Sequence, residues 1–189
     1  QTPERNGQRV AIIGAGIVSP LGLGLAETAQ ALRSGRDCIS EVTRFSVDNC
    51  RCKTAGQIPD EWLRAEAGPR DLRLHRAARM MILALRKALA QTPDFKPELT
   101  VVGTTSGGMS FGEDYYRALQ RGSSLRHAPS LIANYTPQKA VIDAQETLGI
   151  SAPCQVIANA CASGANAIWH AFHCVRSGKY RRILTGGYD

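Results

Sequence analysis

Apolar positions recur at helical spacing along several stretches of this chain. In 71–90, Leu74, Ala78, Met81, Ile82 and Leu85 fall on one face of a long helix. Residues 25–33 carry a shorter helix that Gly35 stops, and 113–120 another. Thr136 and Pro137 form a start signal for a helix running to Leu148 and ending at Gly149. From Gly164 onward Ala165, Ile168, Ala171, Phe172 and Val175 mark a further helix, stopped at Gly178. Between these lie short apolar runs at 9–14, 99–104, 155–158 and 182–186, which read as buried strands, and 52–58 reads as extended. Alternating strands and helices predict a layered α/β fold. There is neither an internal repeat nor a low-complexity linker, so residues 1–189 read as one domain. The last strand meets the end of the chain within three residues, which predicts a fold that stops before it is complete.

Composition adds a constraint on partners. The net charge is +7, but aromatic residues make up only 6% and no basic run is long enough for a nucleic-acid tail. Positive charge could also steer an acidic protein or an anionic cofactor to a cleft, or be a solvated surface with no specific partner, and composition alone does not decide among these. No apolar run reaches the roughly 18 residues of a membrane span, and 1–9 lacks an apolar signal region, so neither a membrane nor a secretory route is expected. Six cysteines make no C-x-x-C pair, and only His170 and His173 are close together. A reducing, cytoplasmic setting without bound metal or cofactor is the expectation.

Gly14-Ala-Gly16 follows the first apolar run, but a dinucleotide fingerprint needs glycine where Ser19 stands. A structural loop fits better. Cys161 is a different case, because it stands where a buried strand gives way to a small-residue helix. Helix starts leave backbone N–H groups free and favour an anion. A thiol there can be a nucleophile with an oxyanion site beside it, or a small packing residue. Position alone leaves both readings open.

The segment Asn159-Ala-Cys-Ala-Ser-Gly164 resembles the active-site segment of beta-ketoacyl-acyl-carrier-protein synthases. Residues 9–22, ending Ser19-Pro-Leu-Gly22, are similar to that family's first strand and loop. Gly103-Thr-Thr-Ser-Gly-Gly108 is similar to its glycine-rich turn, and Leu184-Thr-Gly-Gly187 to the strand after the nucleophile helix. The four pieces keep family order and spacing. Thiolases share the fold and a similar Cys-x-Ser-Gly motif, but lack Ser19-Pro-Leu-Gly22 and carry the nucleophile nearer the N-terminus.

The resemblance implies a thiolase-like fold of five αβαβα layers, of which this chain covers most of the N-terminal half, with a mixed sheet between helices. It implies that Cys161 takes an acyl group from an acyl carrier protein, with its own N–H as an oxyanion donor. A malonyl thioester then loses carbon dioxide and its carbanion attacks the acyl-cysteine, in fatty acid or polyketide synthesis. Ser106, Asn134, Tyr135 and Ala162 would line the acyl site, Arg73 and Arg76 would dock the carrier, and the protein would be a homodimer. The family's two catalytic histidines, its lysine and a Phe-Gly-rich loop belong to a second half, and His75, His127, His170 and His173 match none of these motifs. The piece alone is therefore expected to be inactive. A thiolase-type acyltransferase, a non-catalytic chain-length-factor-like subunit and a carrier-binding scaffold are the alternatives. A thiolate-specific reagent is expected to select Cys161 over the other five cysteines.

Overall fold

The computed structural model describes residues 9–69, 71–122 and 128–189; His127 and the segment 1–8 lie outside them. In chain order the elements are α1 (Leu25–Arg33), β1 (Ile39–Glu41), β2 (Thr54–Gly56), α2 (Asp60–Ala65), a 3-10 turn (Asp71–Arg73), α3 (Arg76–Leu89), β3 (Leu99–Gly103), α4 (Met109–Gln120), α5 (Ala128–Tyr135), α6 (Gln138–Leu148), β4 (Cys154–Ile157), α7 (Ser163–Arg176) and β5 (Ile183–Gly187). β1 and β2 pair antiparallel as a separate ribbon. β3 is the middle strand of a parallel sheet ordered β4-β3-β5.

This strand order dictates where the helices go. The chain leaves β3 for β4 on one side, then must return past β3 to reach β5. Parallel crossovers are right-handed, so two crossovers moving in opposite directions place their helices on opposite faces. α6 accordingly packs with α3 on one face, and α7 lies on the other. Every residue of β3 is buried, as a strand covered on both faces must be. Val102 joins Ala78, Met81, Ile82, Ala140, Val141 and Ala144 on the α3/α6 side. Leu99 and Val101 meet Ala167 of α7 on the other. The period of two along β3 thus divides its side chains between two cores. Ile82, Leu99, Val101 and Val141 are almost wholly buried, and each such side chain is worth about 1.5–3 kcal/mol on transfer from water. Thr100 faces α6, where the Gln145 amide donates to its hydroxyl at 3.0 Å and to the Ala152 carbonyl at 2.9 Å.

The helix expected over 71–90 is divided. A 3-10 turn ends at Arg73, and His75 caps α3 by accepting from the Ala77 N–H at 3.3 Å. α4 starts four residues earlier than its periodicity marks, and α5 is a helix that the pattern did not reveal. α5 is too short to display a period, and its place is set by packing on α4, where the Tyr135 ring lies against Gly112. Gly149 ends α6 with a φ of 66° in the left-handed region, as its position required.

The expected first strand does not form. Residues 9–18 belong to no strand or helix, with Ile12 86% exposed and Ile13 54% exposed. A strand needs a neighbour for its backbone groups, and here Gln91 of the loop after α3 serves Ala15 instead, donating to its carbonyl at 2.7 Å. A β-carbon on Gly16 would lie 1.9 Å from the Ala84 carbonyl oxygen. The Gly14-Ala-Gly16 stretch is therefore a close backbone crossing over α3, which accounts for its glycines without a nucleotide.

Candidate functional site

All three strands of the parallel sheet point their C-terminal ends the same way, and the loops that leave them meet. Gly103 at the end of β3 opens the glycine-rich turn. Ile157 at the end of β4 leads to Cys161, and Gly187 at the end of β5 leads to Tyr188 and Asp189. Ligand sites of open parallel sheets lie at such strand ends.

Cys161 stands two residues before the first residue of α7 and is exposed. Its turn is tight. Ala160 has a φ of 47°, a left-handed value no other non-glycine residue has among the described residues. Such a conformation costs about 1–2 kcal/mol. The Ser163 hydroxyl offsets it by donating to the Ala160 carbonyl at 2.7 Å and accepting from the Asn159 N–H at 2.7 Å. Ser163 N also donates to the Ala160 carbonyl at 3.0 Å, and Ala162 N to the Asn159 carbonyl at 3.2 Å. The start of α7 lies directly on the sheet, because a β-carbon on Gly103 would sit 2.1 Å from the Ser163 carbonyl carbon.

A carboxylate closes the other side. One oxygen of Asp189 accepts from the Thr104 hydroxyl at 2.9 Å, Thr105 N–H at 2.9 Å and Ser106 N–H at 3.0 Å. Partial burial works to raise its pKa, but these donors, Ser106 foremost, outweigh it and hold the group below its ordinary value. Beside it the Tyr188 hydroxyl donates to the Pro137 carbonyl. Burial pushes that phenol up to about 12.

Of the other residues singled out in the sequence, Ser106 and Ala162 lie at this meeting of strand ends, Ser106 in the Asp189-bound loop and Ala162 as the residue capping α7. Asn134 turns its amide back onto its own helix, donating to the Ser130 carbonyl at 2.8 Å, and its carbonyl abuts Gly108. Tyr135 helps line an apolar hollow of about 550 Å³ with Met109, Tyr116 and Ile132. Arg73 is exposed on the 3-10 turn. Arg76 instead turns inward, where it pairs with Asp60 and donates to the Ile58 carbonyl, and Arg44 meets the same Asp60 at 2.7 Å.

The described histidines are engaged elsewhere. His75 contacts the Ser110 hydroxyl at 3.0 Å, His170 the Cys174 sulfur at 3.5 Å, and the His173 ring lies tilted against Trp169 with centroids 4.3 Å apart. Among the described residues no group of three His, Cys, Asp or Glu side chains converges to hold a metal ion, and no helix is long and apolar enough to cross a membrane. Selection of Cys161 by a thiolate reagent faces competition, because Cys50 and Cys52 are exposed as well. Sequence reasoning did not single out Asp189, Thr104, Thr105 or Ser163 as a connected set. The available signal was three hydroxyl residues directly after the wholly buried β3.

Comparison with known proteins defines the fold and the family. The solved structure of the ishigamide ketosynthase/chain length factor superposes with a TM-score of 0.82 at 24% identity, over 97% of this chain and 48% of that one. A beta-ketoacyl synthase from Burkholderia phymatum gives 0.72 at 22% identity, over 91% and 44%. The fold is thiolase-like. The family model described as "Beta-ketoacyl synthase, N-terminal domain" matches residues 7–189, and the chain belongs to that family. It is 29% identical over 193 residues to 3-oxoacyl-[acyl-carrier-protein] synthase 2 of Synechocystis, over 96% of this chain and 45% of that protein. With the enzyme of the same name from Staphylococcus aureus it shares 26% over 189 residues, covering 96% and 46%. The chain thus spans about half the length of the curated relatives it matches.

Proposed function

We propose that residues 1–189 supply the nucleophile-bearing N-terminal half of a condensing enzyme, with Cys161 as its acyl acceptor. The observation that carries this reading is the exposed Cys161 on a left-handed turn, at the start of α7 and the shared C-terminal end of three parallel strands. The Cys161 thiolate attacks the carbonyl carbon of an acyl thioester held by a carrier protein. The oxyanion that forms is met by backbone N–H groups at the turn, that of Cys161 first. It then collapses, the bond to the carrier sulfur breaks, and the carrier leaves as a thiolate that takes a proton from solvent. In the second step a malonyl thioester loses carbon dioxide. Its carbanion attacks the acyl-cysteine carbonyl, forming a carbon–carbon bond and returning the Cys161 thiolate. Donors that stabilise the enolate are needed for that step, and the rest of the protein would bring them.

Ser106, Ala162, Asn134 and Tyr135 would border the acyl chain, the last along the apolar hollow. Arg73 fits carrier docking better than Arg76, whose guanidinium is turned in to Asp60 and the Ile58 carbonyl. An acyl carrier protein as partner draws support from a related solved complex, named as a type II polyketide carrier protein with its ketosynthase. A homodimer in the cytoplasm completes the reading, with either fatty acid or polyketide chains as product.

The test is acyl transfer to the full-length protein from an acyl-carrier thioester, followed by peptide-resolved mass spectrometry. The acyl mass is expected on Cys161 and absent in Cys161→Ala. An acyl group on another cysteine, or none, would overturn the proposal. The latter result would favour the non-catalytic subunit.

A further inference from the structure

We propose that Asp189 is a positioning residue for the Cys161 turn, acting through the loop between β3 and α4. The route can be followed atom by atom. One Asp189 oxygen holds the loop at three consecutive residues, the Thr104 hydroxyl and the N–H groups of Thr105 and Ser106. The Thr104 hydroxyl, wholly buried, also accepts from Gly107 N–H at 3.2 Å, so the same carboxylate fixes the loop's entry and its middle. Tyr188 N–H donates to the Gly103 carbonyl at 3.0 Å and holds β5 in place beneath.

The loop then reaches the nucleophile turn through one hydroxyl pair. Thr105 Oγ1 lies 3.4 Å from Ser163 Oγ. A serine hydroxyl has one proton and two acceptor sites. That proton goes to the Ala160 carbonyl and one acceptor site takes the Asn159 N–H. The Thr105 hydroxyl must therefore be the donor, and it fills the remaining site. Ser163 is saturated only while Thr105 is held in place; Thr104 N–H anchors the residue before it to the Ile157 carbonyl at 3.1 Å, and the bond on the Thr105 N–H itself comes from Asp189. Removing the carboxylate leaves the loop anchored at Thr104 N–H and Met109 N–H but unties Thr105 and Ser106 between them, which withdraws the Thr105 donor and loosens Asn159 and Ala160, on which Cys161 stands.

The proposal rests on Cys161 being the nucleophile only for its functional meaning. Its test reads the turn itself, so its failure and the failure of acyl transfer are separate results. On the full chain, hydrogen exchange at the Asn159 amide and peptide-resolved alkylation of Cys161 by iodoacetamide would be measured in four variants. These are Asp189→Ala, Asp189→Asn, Thr105→Val and the double variant Asp189→Ala/Thr105→Val. Asp189→Ala is expected to speed Asn159 exchange and slow Cys161 alkylation by about tenfold each. Asp189→Asn keeps an acceptor oxygen and should stay within about threefold of the native chain. Thr105→Val should reproduce the alanine effect, and the double variant should add nothing to either. Faster exchange at Thr105 and Ser106 alone, with Asn159 and Cys161 unchanged, would overturn the proposal. So would additive effects in the double variant. If Asp189→Ala fails to fold, Thr105→Val and Asp189→Asn decide: a native Asn159 amide in Thr105→Val sinks the idea.

Discussion

The Ser163 hydroxyl donates to the carbonyl of Ala160 at 2.7 Å, and this bond closes a left-handed turn around a residue that has a β-carbon. Two opposite substitutions test the arrangement. Ser163→Ala removes the bonds to Ala160 and Asn159 together and is expected to cost about 1–3 kcal/mol in urea unfolding, with slower alkylation of Cys161. Ala160→Gly relieves the left-handed strain and is expected to be neutral or to stabilise by about 1 kcal/mol. An ordinary alanine-to-glycine loss at position 160 would show that the turn is not strained in solution.

Gly103 and Gly186 lie on neighbouring strands and predict opposite tolerance. A β-carbon at Gly103 meets the Ser163 carbonyl group at 2.1 Å, whereas one at Gly186 meets nothing within 4 Å. Gly103→Ala is expected to destabilise by about 3 kcal/mol or more, since backbone cannot move aside cheaply. Gly186→Ala should change stability by less than about 1 kcal/mol. Denaturant midpoints at unchanged slope would measure both.

His75 gives the fold a pH dependence of definite sign. Burial, opposed in part by the Asp143 charge, lowers its pKa below the ordinary value of 6.5. Its ring nitrogen must be unprotonated to accept from Ala77 N–H, and a cation there would face the positive end of α3. The unfolded chain therefore binds the proton first. The contribution of His75 is complete above about pH 6.5 and is lost as pH falls from there through the lowered native value. His75→Ser keeps a capping oxygen without titrating, so its stability should be flatter across this range. A midpoint-versus-pH curve unchanged by the substitution would rule this out.

The cysteines should divide by exposure. Cys174 is 7% exposed against the core, whereas Cys50, Cys52 and Cys161 are exposed. In the native protein iodoacetamide should label the latter three, and Cys174 only at the rate of unfolding. Rapid native labelling of Cys174 would mean that α7 is not seated on the sheet.

Where the sequence was readable, one element's pattern sufficed. The stripe of Ala78, Met81, Ile82 and Leu85 announced α3, Gly149 its neighbour's end, and the Cys161 segment a strand giving way to a helix. The failures share a cause. Residues 9–14 have a strand's composition, yet their pairing depends on which backbone lies alongside. α5 is held by contacts with Gly108 and Gly112 that no periodicity records.

The candidate site divides in the same way. The sequence by itself determined that Cys161 stands at the start of a helix, because local chain chemistry and short-range spacing are enough for that. Only the tertiary structure decided that Asp189 reaches Thr104, Thr105 and Ser106, and that Thr105 meets Ser163. It also decided that Arg76 turns in to Asp60 while Arg73 stays at the surface. These are contacts between residues far apart in the chain. The contacts of Asp189, Thr105 and Ser163 follow from the order β4-β3-β5, which brings three strand ends together, and the Arg76–Asp60 pair from the packing of α2 on α3; no local pattern encodes either.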